Sequence, residues 1–293
     1  MRIILHAGVQ CTDDERLIKT LLRNKETFTK AGVAVPPPKL YRNLLRKTLI
    51  KGLKYNLDNG DREHLLETML EGKYTQINTV ILSNPMFFGI PRELLGSGQL
   101  YPNAVRVLEQ FLLLFSQDDV ELYFSIRNPA SFLPAVFETS ELSEFSTLMK
   151  ASNPLEIQWS DLASRLHKAF PELPIHMWCN EDSPFIWGQI LRQMGQLPAS
   201  KNIAGDFDLF AEIISKEGFD RFKAYISTHP SSTLRQLRIV MGAFAEKFGQ
   251  TDKIIEELEA PGWDHTVVQD ITDLYDDDVR DILKISNVHF ILP

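Results

Sequence analysis

Apolar residues along the chain fall into two rhythms. Nearly continuous apolar runs over residues 2–6, 79–83, 120–126 and 175–178 predict strands buried on both faces. Between them, Leu17, Leu21, Leu22 and Phe28 recur at helical spacing, and Gly32 predicts a stop before the extended 33–38 stretch. A helix is expected over 103–115. Ser183-Pro184 reads as an N-cap followed by proline at the first helical position, opening a helix over 185–194. Strands alternating with helices imply an α/β fold, a three-layer sandwich around a mostly parallel sheet. Helical patterns dominate 207–248, a short acidic helix is expected over 273–283, and a last apolar run spans 288–292. There is no internal repeat and no low-complexity stretch. The expected layout is a single domain over 1–293, with an α/β core over 1–200 and a mostly helical part over 201–293 packed on it.

The 293 residues, 44% hydrophobic and 24% charged, are ordinary for a globular protein. No apolar run approaches the roughly 20 residues that span a bilayer. The opening 1–6 stretch lacks the pattern of a signal peptide, so a cytoplasmic protein without a membrane partner is expected. Cys11 and Cys179 form neither a disulfide framework nor a zinc-ligand spacing. A net charge of −8 argues against nucleic acid as a partner, yet the charge is uneven. Residues 27–57 contain no acid and seven bases, whereas 252–281 contain eleven acids against Lys253 and Arg280. Arg42, Arg46, Lys47 and Lys51 could form a surface for an anionic acceptor, such as a glycan or small molecule. The alternative is a solvated helix face.

In open parallel sheets ligands bind beyond the carboxyl ends of the strands, here 6–15, 84–89 and 127–135. A loop between a strand and a helix start offers free N–H groups, a natural phosphate cradle. In this one, Thr12-Asp13-Asp14-Glu15 matches a capping box, with Thr12 at the N-cap, Glu15 reaching back, and Asp13 and Asp14 suited to the positive helix end. The same three acids supply oxygen ligands for a divalent cation. His6 is either a general base or a hydrogen-bonded strand-end residue. Cys11, near a helix start, would have a lowered thiol pKa if exposed. Arg127 can hold an anion bidentately or pair with Glu181 or Asp182. Asn84-Pro85 supplies no acid or base. Glu138, Glu141 and Glu144 read as a solvated helix, and Trp178 and Trp187 as core.

Four stretches then line up in order: His6-Ala7-Gly8-Val9-Gln10-Cys11-Thr12, Ser125-Ile126-Arg127 with its following helix, Trp178-Cys179-Asn180-Glu181-Asp182, and Gly195-Gln196-Leu197-Pro198. Together they resemble the sulfotransferase family over residues 1–200, and Asn24, Gly32-Val33 and Pro36 are similar to its bacterial members. The resemblance implies a P-loop-like fold and 3′-phosphoadenosine 5′-phosphosulfate as the donor, with Gly8, Gln10, Thr12 and Arg127 in contact with it. The departures are systematic. The family's loop lysine falls on Cys11, its second glycine on Asp13, its two hydroxyl residues on Asp14 and Glu15, and the serine after the arginine on Ala135. Acids replace the groups that meet a polyanionic donor, so the leading expectation is an eroded donor site serving binding or regulation. One alternative is an active sulfotransferase that moves the sulfuryl group to a hydroxyl of a carbohydrate or small molecule, using Arg127, His6 and the bases over 39–54. The other is a cation-binding acidic loop.

Overall fold

A computed structural model describes residues 1–72, 76–229, 233–254, 260 and 262–293. The chain runs β1 (Arg2–Gly8), α1 (Arg16–Arg23), α2 (Lys25–Lys30), β2 (Val33–Ala34), α3 (Pro38–Gly52), α4 (Asn59–Leu70) and β3 (Thr79–Ser83). A short hairpin, β4 (Leu95–Gly96) and β5 (Gln99–Leu100), precedes α5 (Ala104–Leu114) and β6 (Asp119–Ile126). Next come α6 (Pro129–Glu138), α7 (Phe145–Met149), α8 (Trp159–Ala169), β7 (Ile175–Cys179) and α9 (Ser183–Met194). The last part holds α10 (Asp208–Ile213), α11 (Lys216–Thr228), α12 (Leu234–Phe248), α13 (Thr251–Ile254), α14 (His265–Ile282) and β8 (Val288–Phe290).

Six strands form one sheet in the order β2-β3-β1-β6-β7-β8, and every neighbouring pair is parallel. Alternate residues of each strand enter different cores. Ile3 and Leu5 of β1, Val80 and Leu82 of β3, and Leu122 and Phe124 of β6 pack under α3, α4, α5, α6 and α8. Ile4, Ile81 and Tyr123 face the other way, against α1, α2 and α9. Helices on both faces explain why the strand sequences are continuously apolar rather than alternating. A third cluster, Phe210, Ile214, Phe222 and Met241, holds α10, α11 and α12 together. Among the described residues, no helix is long and apolar enough to cross a membrane.

The structure departs from the sequence reading at several boundaries. The helix expected through Phe28 breaks at Asn24, whose side chain donates to Thr20 O and Ala204 O and accepts from Ala204 N. Satisfying a distant loop outweighs continuing the helix. A 3₁₀ turn, Asn180–Asp182, takes up the residues before α9, so Asp182 is its N-cap, ahead of Ser183 and Pro184. Glu138 closes α6, while Glu141 and Glu144 lie in the following loop rather than on the same helix. The acidic segment is the second half of the 18-residue α14. Its buried Asp278 accepts from the backbone N–H groups of Trp159 (2.7 Å) and Ser160 (3.1 Å), capping α8. The last apolar run adds β8 as an edge strand.

At the amino ends of the central strands, Arg2 grips Glu121 with two hydrogen bonds of 2.6 and 2.7 Å, and His176 Nε2 lies 3.3 Å from the same carboxylate. One group on each of β1, β6 and β7 is thus tied across the sheet. Burial opposes the charge on Glu121, but the bonds from His176 and Arg2 outweigh it and hold the carboxyl at about 2 instead of 4.5. Because the folded pKa is depressed, this stabilisation is complete above 4.5 and is lost as pH falls toward about 2. Melting temperature followed through that window should fall, and Glu121→Gln should flatten that limb of the profile. Parallel profiles for parent and variant would remove the bridge from the stability of the sheet.

Candidate functional site

The connection after β1 leads toward β2 on one side of the sheet, and the connection after β6 leads toward β7 on the other. Where neighbouring strands send their connections apart, a crevice opens at their carboxyl ends. A cleft of about 920 Å³ lies there. Its walls come from the loop after β1, from α6, from the start of α9, and from α10, α12 and α13.

The loop begins at Gly8, where φ is +74° and an added Cβ would lie 2.1 Å from Pro85 Cα. Glycine is required because two backbones touch, and the approach is made by the 84–85 turn rather than a ligand. Gln10 spans to neighbouring segments, its amide donating to Gly89 O at 2.6 Å and its oxygen accepting from the Tyr101 hydroxyl. Thr12 Oγ1 donates back to Val9 O at 2.8 Å. Asp13 Oδ2 accepts from Leu17 N at 2.9 Å, and Asp13 O accepts from Arg16 N at 2.7 Å.

The capping box expected over 12–15 therefore does not form. Asp14 and Glu15 take left-handed backbone, with φ of 46° and 61°, which delays the first residue of α1 to Arg16. Asp13 meets the orphan N–H in place of Thr12, and Glu15 turns away to pair with Arg42. The three acids diverge. Among the described residues, no group of three or more His, Cys, Asp or Glu side chains is arranged to hold a metal ion.

Arg127 lines the cleft at the end of β6, donating from Nε to Ser131 Oγ at 2.9 Å and from Nη1 to Cys11 O. It joins the loop after β1 to the first turn of α6. Glu181 gives its oxygens to Asn128 N (2.8 Å) and the Tyr275 hydroxyl (3.2 Å), and burial pushes its pKa up. Asp182 is likewise raised by burial, against the pull of Arg238.

His6 lies beneath the loop, fully buried, with Nδ1 3.0 Å from Ser83 Oγ and its ring stacked at 6.1 Å on Trp178. Burial lowers its pKa, with Asp13 opposing and Arg42 reinforcing the shift. It is absent from the cleft lining, so the candidate base and the cleft are separated. The Cys11 thiol is raised rather than lowered, because burial outweighs the Thr139 hydrogen bond and the charge of Arg127.

The four bases expected to act together divide. Arg42 points inward to Glu15 and donates to Ser83 O at 2.8 Å, and Lys51 is held by both oxygens of Asp61 at 2.8 Å. Arg46 and Lys47 remain on the exposed face of α3. Sequence reasoning passed over Ser131, although its position four residues after Arg127 on a capped helix was a usable signal. Glu246 and Lys253, from the other end of the chain, also line the cleft, and no local pattern links them to it. Comparison of the chain with protein-family models, with curated proteins and with solved structures finds no match.

The bonding assigns the helix start to Asp13. Asp13→Ala should cost about 0.5–2 kcal/mol in denaturant unfolding, the usual penalty for losing a cap. Thr12→Ala should cost less, since its hydroxyl donates to a carbonyl within the loop and satisfies no N–H of the helix start. The reverse order of the two variants would return the cap to Thr12.

Proposed function

We propose that the chain is a cytoplasmic, sulfotransferase-like protein on a P-loop-type sandwich whose donor loop has closed on itself, leaving a role in binding or regulation. The internal bonding of residues 8–15 carries this reading. A 5′-phosphosulfate needs free N–H groups at the helix start and a cation beside the transferring group. In this loop the Asp13 carboxylate occupies Leu17 N, the carbonyl of Cys11 receives the Arg127 guanidinium, and Asp14 lines the cleft. Two like charges about 4 Å apart cost about 1 kcal/mol even in bulk water, and more once desolvated. An incoming phosphosulfate would meet a filled helix end and a repelling carboxylate.

A second reading is an active enzyme that transfers the sulfuryl group from 3′-phosphoadenosine 5′-phosphosulfate to a hydroxyl of a carbohydrate or small molecule. One observation favours it: the cleft, at about 920 Å³, has the volume of a small-molecule site and carries Arg127 on its wall. The spent donor, adenosine 3′,5′-bisphosphate, separates the two readings. A ligand at a hundred times its Kd stabilises a fold by about 2.7 kcal/mol. The closed-loop reading expects no change in Tm with sub-millimolar nucleotide. A rise in Tm that disappears in Arg127→Ala would replace it with the active-enzyme reading.

A further inference from the structure

Helix α3 presents two chemically different faces. Tyr41, Leu45, Thr48 and Leu49 are buried against the sheet. Lys39, Asn43, Arg46 and Ile50 follow one another at i, i+4, i+7 and i+11 and are all exposed. Lys47 and Lys54 flank this stripe, and Leu53 and Tyr55 extend it beyond the helix end. Ile50, Leu53 and Tyr55 are 48%, 42% and 67% exposed, three large apolar side chains set among bases. On the neighbouring α4, Asp61 is taken by Lys51. Lys39, Arg46, Lys47 and Lys54 have no carboxylate partner among the described residues, and no acid occurs anywhere over 27–57.

We propose that this face of α3 and the turn after it dock on an anionic phospholipid bilayer. Charge complementarity carries the proposal: a chain of net charge −8 concentrates unpaired cations on one face, where they attract a negative surface that the rest of the molecule repels. The apolar side chains select the partner. A bilayer offers anionic headgroups at one depth and acyl chains just below, matching bases interleaved with Ile50, Leu53 and Tyr55. A sulfated glycan offers charge but nothing for an isoleucine and a leucine. No membrane-crossing segment is needed, so the expectation of no membrane partner, drawn from the lack of such a segment, does not extend to this surface. The proposal is independent of what the cleft binds.

The test is co-sedimentation of the full chain with phosphatidylcholine vesicles and with vesicles containing phosphatidylserine. Binding should require phosphatidylserine and should fall steeply as added salt shortens the screening length. The pair Arg46→Glu with Lys47→Glu should weaken it by at least about thirtyfold, since each base near the surface contributes about fivefold. Ile50→Gln with Leu53→Gln should weaken it too while leaving net charge unchanged. Both pairs are solvent-facing, and an unchanged Tm verifies the fold. Absence of vesicle binding overturns the proposal. So does binding indifferent to Ile50 and Leu53, or capture by heparin alone, which would mark a site for soluble polyanions. Self-association abolished by the same charge reversal would assign the face to a second copy and overturn it as well.

Discussion

Strand β1 sits in the middle of the sheet, hydrogen-bonded to β3 on one side and to β6 on the other, with apolar residues packed on both faces. A strand so enclosed can neither slip in register nor turn over without exposing its whole apolar set. Everything else is referred to it. The loop after β1 must emerge at the sheet's carboxyl edge, and the parting of the connections after β1 and β6 makes that edge a cleft. The helices that close the two faces are then free to place their outer surfaces where other chemistry requires.

Charged groups divide the labour along the strands. At the amino ends, Arg2, Glu121 and His176 bind neighbouring strands to one another. At the carboxyl ends, Arg127 draws the first loop onto the end of β6 through the Cys11 carbonyl. The first set is a structural brace. The second uses a guanidinium, suited to hold a ligand, as a strap for the backbone. That use, together with the Asp13 cap, commits Arg127 Nη1 and Leu17 N to protein acceptors. Beneath it His6 is buried, which lowers its pKa, and its ring is held by Ser83, away from the cleft lining.

The last third of the chain is not an appendage. Asp278 on α14 caps α8, and Trp159, the first residue of α8, donates its indole N–H to Arg127 O at 2.8 Å. Asn128 donates to Thr272 on α14 at 2.9 Å. The residues at the end of β6 are therefore positioned by α14 and α8 together, and α10, α12 and α13 supply the far wall of the cleft. A ligand entering it would touch both ends of the chain.

Local sequence determined the elements and their stacking. Apolar runs mark β1, β3, β6 and β7 because a strand covered on both sides is mostly shut off from water and its few polar groups must find partners in the protein, and the helical spacing of Leu17 and Leu21 marks α1 because only one of its faces is buried. The absence of a lysine in the first loop, and its three acids, were equally legible. Tertiary structure alone decided what those groups do. Asp13 rather than Thr12 caps α1, Glu15 and Arg42 find each other across 27 positions, Arg127 meets Cys11 across 116, and Glu246 and Lys253 reach the cleft. Periodicity reports how one segment meets the core. The partner of a charge depends on which segments the sheet brings side by side, and that order is set by the packing of the whole chain.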